Sequence, residues 1–362
     1  MEELLEALFE LTGELVIEGI GIVVRGFPAP KSGKVSKRLQ YIERNGLFLS
    51  KTEEGERFRI LQLTDTHLRT RGLKKALAEI DALLKKAMPD LVVITGDVVT
   101  CRLIRRKLDL LNRVFADHGV LWTLTLGNHD AEQAMFFDRK EFLEYCARLD
   151  HCLVRVDADA EHRYGDMPIY LCDATGKPYF ALILLDSGDY LSRELGEQFG
   201  YFGKKKVYDA ILPEQIERYR TMVRPDDTAP ALPHVCFFHI PLPQFVDGYR
   251  EAKQNGTVLY GDCRENEPGG VCCPPVDTGM FAAAKDCGCK AIFVGHDHIN
   301  DFHVMYQGVR LCFGQKTCHT SYHYGNRRLA DRTGGTIIEV APSGEIDVRA
   351  ILLKEDLGDA NV

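Results

Sequence analysis

Five short segments of the chain carry side chains that bind metal ions in proteins. They are Asp65-Thr66-His67, Gly96-Asp97, Gly127-Asn128-His129-Asp130, His239, and His296-Asp297-His298. Imidazole, carboxylate and amide groups are the donors of hard and borderline metals. In the D-x-H and H-x-H pairs, residues two apart in an extended segment point to the same side, so each pair can hold one metal ion.

Each of these segments follows an apolar run that is typical of a buried strand. The runs are "FRILQL", "DLVVIT", "VLWTLT", "HVCFF" and "CKAIFV". The carboxyl ends of the strands in an α/β sheet line one crevice, so side chains that are far apart in the chain are expected to converge there. A single D-x-H or Gly-Asp segment is most often a polar loop or turn. Five such strand ends together predict a metal site.

Helices are predicted between the first strands. In "LKKALAEIDALLKKA" the residues Leu73, Leu77, Ile80 and Leu84 share one face, and "RLIRRKLDLLNRVFADHG" is a second helix that ends at Gly119. This alternation predicts parallel strands joined by right-handed crossovers. Later in the chain, "PYFALILLDSGD" predicts another strand and "LPEQIERYRTMV" a helix with a proline in its first turn.

The two ends of the chain differ from this pattern. Residues 1–57 are predicted to be an extension with a short amphipathic helix, a linker and a hairpin around Asn45-Gly46. The segments "FHVMYQGVRLCFG" and "GGTIIEVAPSGEIDVRAILL" predict antiparallel hairpins. The predicted domain covers residues 58–354, with a tail at 355–362, and a long loop is expected over 251–275.

The composition limits the possible partners. The net charge is −8 and the pI is about 5.9, so no broad basic surface is expected for nucleic acid or an anionic membrane. The apolar stretch "LVIEGIGIVV" contains Glu18 and is too short to span a bilayer. We therefore expect a cytoplasmic protein, and its oligomeric state stays open.

The chain contains 12 cysteines, which we expect to be free thiols in a reduced compartment. Five of them form a cluster in the sequence: Cys263, Cys272, Cys273, Cys287 and Cys289. Their C-C and C-x-C spacings differ from the C-x-x-C pairs of a zinc ribbon. These spacings favour packed thiols over a structural zinc site.

The five metal-binding segments, in their order, resemble the calcineurin-like metallophosphoesterase superfamily. The resemblance covers roughly residues 58–354. The segments "DSGDY", "LPEQIERYR", "FFHIPLPQF" and "GHDHIND" also resemble the cytosolic relatives of purple acid phosphatases. The resemblance implies a four-layer α/β/β/α sandwich with mixed sheets and a dinuclear metal site at the carboxyl ends of the strands.

The resemblance also implies which residues hold the metals. One ion would be bound by Asp65, His67 and His298, and the other by Asn128, His239 and His296. Asp97 would bridge the two ions with its two oxygens. Purple enzymes use G-D-x-x-Y, whereas this chain has Thr100 in place of the tyrosine. A purple ferric centre is therefore not expected, and two divalent ions (manganese, zinc or iron) remain possible.

The implied reaction is hydrolysis of a phosphomonoester or phosphodiester by a hydroxide held between the metals. His129 neighbours a ligand without being needed as one, so it is the candidate general acid. Asp130 or Asp65 would orient the His129 ring. His323 and Arg69 are candidate substrate contacts.

Two alternatives remain beside this reaction. A nuclease is disfavoured by the acidic charge of the chain. A non-catalytic metal-binding scaffold is disfavoured because all seven ligands and His129 are present. The substrate is expected to be a small phosphorylated molecule or a phosphoprotein, and the metal identity and the preference for monoester or diester stay open.

Overall fold

A computed structural model describes residues 56–100, 103–130, 132, 137–157, 163–173, 175–225, 230–265, 268–320 and 332–354, with the backbone of 39–42 and 47–50. The strands are β1 (Leu39–Ile42), β2 (Leu47–Ser50), β3 (Phe58–Leu63), β4 (Leu91–Thr95), β5 (Leu121–Thr125), β6 (Met167–Cys172), β7 (Pro178–Leu184), β8 (His234–Phe237), β9 (Cys289–Val294), β10 (His303–Tyr306), β11 (Val309–Phe313), β12 (Gly334–Val340) and β13 (Ile346–Leu352). The helices are α1 (Leu73–Ala87), α2 (Ile104–Asp117), α3 (Arg139–Cys146), α4 (Arg193–Gln198), α5 (Pro213–Met222), α6 (Gln244–Asn255) and α7 (Met280–Asp286).

The strands form two mixed sheets. One sheet has the order β13-β12-β3-β4-β5, in which β3, β4 and β5 are parallel and β12 is antiparallel to β3. The other has the order β1-β2-β6-β7-β8-β9-β11-β10. In it, the pairs β7–β8, β8–β9 and β9–β11 are parallel. The predicted parallel pairing and the two C-terminal hairpins are confirmed.

An apolar core lies between the two sheets. Phe58 and Ile60 of β3 pack there with Phe237 of β8 and Phe293 of β9, and all four side chains are fully buried. The rings of Phe237 and Phe293 stack with centroids 5.2 Å apart. This core holds the two sheets face to face.

Two further cores separate the sheets from helices. Leu61 and Leu63 of β3 face away from the other sheet and pack with helices α1 and α2. On the eight-stranded sheet, Ile292 of β9 packs in the same way with α5 and α7. Successive residues of a strand face opposite sides, so strands buried on both sides are apolar throughout. The predicted four-layer α/β/β/α arrangement is confirmed.

Helix α1 has the predicted bounds, whereas some elements were not predicted from the sequence. Strand β6 and helices α3 and α7 were missed. Helix α6 covers the start of the stretch 251–275 that was predicted to be a loop. In α6, Gly248 lowers the helical propensity. A Cβ at Gly248 would lie 3.0 Å from the Cβ of Tyr306, so the glycine lets the helix lie close to β10.

The predicted extension and tail are only partly described. Strands β1 and β2 pair antiparallel around residues 43–46, and β2 pairs with β6 at the edge of the larger sheet. The predicted N-terminal helix and the tail 355–362 lie outside the described residues. In the described part, no helix has the length and apolar character needed to cross a membrane.

We expect Phe293→Ala to lower the free energy of unfolding by about 3–5 kcal/mol, because it removes a fully buried ring and leaves a cavity between the sheets. Phe202→Ala is the matched control, since the Phe202 side chain is 76% exposed. The control should change the free energy of unfolding by less than about 0.5 kcal/mol. Chemical denaturation measures both values, and similar losses would contradict the packing described here.

Candidate metal centre

The seven predicted metal ligands converge at the carboxyl ends of five strands from both sheets. Strands β3, β4 and β5 of the smaller sheet end just before Asp65, Asp97 and Asn128. Strands β8 and β9 of the larger sheet end just before His239 and His296. All the ligand candidates are buried: Asp65, His67, Asp97, Asn128, His239, His296 and His298.

Four donor atoms form a first group, all within 4.8 Å of one another: those of Asp65, His67, Asp97 and His298. The Nε2 atoms of His67 and His298 are 2.9 Å apart. His298 Nε2 lies 3.2 Å from Asp65 Oδ1, and His67 Nε2 lies 3.5 Å from Asp97 Oδ2. The structure thus brings together the first predicted ligand set.

A second group surrounds His239 Nε2. This nitrogen lies 3.1 Å from Asn128 Oδ1, 3.2 Å from His296 Nδ1 and 3.4 Å from Asp97 Oδ2. His239 Nδ1 donates to the carbonyl of Thr95 at 2.8 Å, which turns Nε2 toward the group. The second predicted ligand set therefore also converges, and Asp97 belongs to both groups.

One carboxylate oxygen of Asp97 faces both groups of donor atoms. Its Oδ2 faces His67 and His239, whereas its Oδ1 accepts a hydrogen bond from the backbone N–H of His129 at 2.9 Å. The expectation that both oxygens of Asp97 face metals is therefore corrected. A single oxygen lies between the groups, and the other holds the loop after β5.

The donor atoms fit divalent cations. In the described part of the chain, the buried oxygens Asp65 Oδ1 and Asp97 Oδ2 accept no hydrogen bond. Burial lowers the pKa of His67 and of His296 to about 3, so both rings are neutral and can act as ligands. Burial lowers the pKa of His239, but the charge of Asp97 outweighs burial and raises it to about 9.

A proton on His239 therefore occupies the place that a cation would take, because both bind the Nε2 lone pair. The pKa of Asp97 is well below its usual value: burial raises it, but the charge of His239 outweighs burial. Asp97 is thus a carboxylate at neutral pH. Two anionic carboxylates among imidazoles make a site that prefers cations of the borderline class.

Four of the candidate ligands have strained backbone. The φ angles of Asp65, His67, Asp97 and His296 are 51°, 41°, 52° and 78°, in the left-handed region that non-glycine residues seldom adopt. Such strain persists only where the surrounding structure imposes it, and it is common at functional sites. The sequence carried no signal of this strain.

The loop "LGNHD" after β5 is held by two charged side chains. Arg139 donates to the Gly127 carbonyl and to Asp186 Oδ1, each at 2.5 Å. Asp130 accepts backbone N–H bonds from Val98 (2.8 Å) and Gly127 (2.9 Å). Burial raises the pKa of Asp130 to about 6. Asp130 therefore joins the loops after β4 and β5.

The expected contact between Asp130 and the His129 ring is consequently not found, and Glu132 takes its place. Glu132 Oε2 lies 2.6 Å from His129 Nδ1, and Glu132 Oε1 accepts from the Tyr190 hydroxyl at 3.2 Å. The His129 side chain is 42% exposed, and its ring centroid lies 5.9 Å from that of His67. His129 thus stands at the open side of the donor groups.

Sequence reasoning missed Glu132 and an aromatic wall. The Tyr208 ring meets the His296 ring edge to face, with centroids 4.2 Å apart, and Tyr190 stacks on Tyr208. Lys206 Nζ lies 3.2 Å from the centre of the Tyr190 ring. Tyr208 and Lys206 lie on loops without a motif. The available signals were the segment "DSGDY", which ends at Tyr190, and the position of Glu132, three residues after His129.

The other candidate residues occupy different surroundings. Arg69 is exposed, and its Nε lies 3.4 Å from Thr100 Oγ1, the residue in place of the purple-enzyme tyrosine. His323 lies outside the described residues.

Comparison with known proteins matches a family model described as calcineurin-like phosphoesterase over residues 58–300. A protein named "Probable inactive purple acid phosphatase 14", from Arabidopsis thaliana, is 27% identical over 300 residues, or 71% of this chain and 69% of that protein. "Probable inactive purple acid phosphatase 29" of the same plant is 25% identical over 287 residues, which is 71% of each chain.

Among solved structures, a dimetal phosphatase from Danio rerio has a similar fold. Its TM-score is 0.50 at 13% identity, and the alignment covers 82% of this chain and 99% of that one. At this identity the similarity concerns the fold alone. It agrees with the predicted architecture, and the family match agrees with the predicted superfamily.

Gly127→Ala should reduce metal binding, since a Cβ at Gly127 would lie 2.1 Å from Asp97 Oδ1 and 2.4 Å from Asp97 N. We expect a loss of at least tenfold in affinity, the usual effect of a disturbed ligand environment, about 10–100-fold. Gly165→Ala is the control, because the nearest atom to its Cβ would be the flexible Leu143 Cδ1 at 3.1 Å. Titration calorimetry measures the metal affinity of the two variants. Equal affinities would contradict the idea that the site needs Gly127 to lie close to Asp97.

Proposed function

Because the chain belongs to the calcineurin-like phosphoesterase family, we propose that it is a phosphoric ester hydrolase that uses two divalent metal ions. The observation that carries the proposal is the pair of donor groups that meet at Asp97 Oδ2. Bound there, two divalent cations would lower the pKa of water and neutralise charge on a phosphoryl group. Asp65, His67 and His298 would hold one ion, and Asn128, His239 and His296 the other.

In this proposal His129 is the general acid that protonates the leaving oxygen. In this role Glu132 accepts a hydrogen bond from His129 Nδ1–H, which orients the ring and leaves the Nε2 proton for the substrate. The backbone N–H of His129 is held by Asp97, so the acid is positioned by the same carboxylate that joins the donor groups. No donor group requires the His129 side chain, which is why it can exchange a proton with the substrate.

The leaving group would enter a basic cavity. A cavity of about 610 Å³ is lined by the lysines 204–206 and by an ion pair of Arg193 with Glu197, so the lysines give it a net positive charge. Lys206 lies against Tyr190, which contacts Glu132. The cavity therefore adjoins the side of the centre where His129 stands. Its volume is within the usual range for small-molecule sites.

This placement supports a substrate whose leaving group carries further negative charge. A small phosphorylated molecule with a second anionic group and an acidic phosphoprotein segment both meet this description. The basic residues are few and local, on a chain with a net charge of −8, so the proposal does not extend to nucleic acid.

A non-catalytic scaffold is the second candidate, because two relatives carry the word "inactive" in their names. Hydrolysis of p-nitrophenyl phosphate and of its bis-ester, with manganese, zinc or iron supplied, tests both candidates. Turnover of either compound supports the hydrolase. Full metal loading without turnover of either compound favours the scaffold.

His129→Ala is expected to keep both metal ions and to lower kcat by about 10²–10⁴-fold, the usual contribution of general acid catalysis. Asp97→Ala should instead lose metal and activity together, because it removes the oxygen shared by both donor groups. Metal analysis and steady-state kinetics measure these effects. Loss of metal in His129→Ala would refute the assignment of His129 as the acid.

Lys204→Ala with Lys205→Ala should raise KM for a substrate with an anionic leaving group by about tenfold, since attraction by local charge raises substrate concentration by 10-fold or more. KM for p-nitrophenyl phosphate should stay within about twofold, because its leaving group is small and has no anionic group in the bound ester. Lys86→Ala, on the exposed end of α1, is the control. An equal change in KM for both substrates would contradict the proposed role of the cavity in binding the leaving group.

A further inference from the structure

A second cluster of metal-binding side chains lies at the opposite end of the larger sheet. His234 and Cys236 are two residues apart on β8, and Cys289 begins β9. These strands are neighbours, with His234 opposite Cys289, and they run from this cluster to His239 and His296 at the metal centre. The donor atoms of the three residues are buried and lie within 4.8 Å of one another.

The two sulfur atoms are spaced as in a tetrahedral metal site. Cys236 Sγ and Cys289 Sγ are 3.7 Å apart. With zinc–sulfur bonds of about 2.3 Å, a tetrahedral angle places two sulfur ligands about 3.8 Å apart. A disulfide requires about 2.05 Å. The observed spacing therefore suits one shared ion without movement of either strand.

The imidazole of His234 is oriented as a ligand. Its Nδ1 donates to the carbonyl of Leu232 at 2.7 Å, so the lone pair is on Nε2. A carbonyl that holds the other ring nitrogen is the usual surrounding of a metal-binding histidine. Tyr219 Oη lies 2.6 Å from Nε2, a hydrogen-bond distance that is too short for two ligands of one tetrahedral zinc ion, so a bound ion would replace this contact at the Nε2 lone pair. The three side chains thus offer nitrogen and sulfur donors.

A metal-binding cysteine must be a thiolate, so binding of zinc at this cluster would release the protons of Cys236 and Cys289. The metal centre at the other end of the strands makes no use of these groups, because it contains only nitrogen and oxygen donors.

We propose that His234, Cys236 and Cys289 bind a zinc ion. Two thiolates and an imidazole suit zinc better than magnesium, calcium or manganese, which prefer oxygen. The ion joins β8 to β9. The sequence spacing of Cys287 and Cys289 did not reveal this site, because the partners lie more than fifty residues earlier in the chain.

Cobalt substitution of the full chain tests this proposal. Cobalt bound to thiolates absorbs by charge transfer from sulfur, and the metal centre has no sulfur donor, so this absorption reports on thiolate ligands and not on the metal centre. We expect the band in the wild-type protein and its loss in Cys236→Ala with Cys289→Ala. The matched control is Cys172→Ala with Cys312→Ala, two buried thiols elsewhere in the sheet, which should keep the band.

Metal analysis and thiol counting complete the test. Zinc content should fall by one equivalent per chain in the Cys236/Cys289 double variant and remain at the wild-type value in the control. If the double variant does not fold, the single variant Cys236→Ser takes its place: a weakened band supports the proposal, and an unchanged band overturns it. Absence of the band in the cobalt-loaded wild type overturns the proposal. So does a Cys236–Cys289 disulfide, seen as two fewer titratable thiols in the protein without reductant.

Discussion

The shared oxygen of Asp97 is the contact on which the site depends. Asp97 Oδ2 lies between His67 and His239, which belong to different sheets. Its other oxygen fixes the backbone of His129, so one carboxylate sets both the spacing of the donor groups and the position of the proposed acid. The strained backbone at Asp97 and the glycine contact at Gly127 are needed to bring this carboxylate so close to the loop after β5.

Much of the fold could be predicted from the sequence, because buried strands and an amphipathic helix have distinct periodicity. The run "FRILQL" became β3, and its alternate residues face two different cores. Helix α6 was missed, since Gly248 and nearby polar residues hide its apolar face. Strand β6 was missed for another reason: its residues lie in a segment that reads as an insertion.

The candidate site was likewise predictable from the sequence only in part. The convergence of the seven candidate ligands was predictable, because each follows a strand and the order of the motifs is specific. The partner of His129 was not, because Asp130 is adjacent in sequence but is turned toward backbone amides, while Glu132 reaches the ring. Tyr190 and Tyr208 come from a loop whose path depends on tertiary contacts, and neither residue type indicates a wall of a metal centre.

The candidate ligands belong to two different sheets, and this affects when the site can form while the polypeptide is being translated. Asp65, Asp97 and Asn128 belong to the smaller sheet, while His239, His296 and His298 belong to the larger one. Strand β12, which pairs with β3, comes later still in the chain. During translation the early residues therefore leave the ribosome long before their partners exist. Until His298 has emerged, the nascent chain exposes isolated carboxylates and imidazoles, so the candidate metal centre can form only after all five strands that position it have been synthesised.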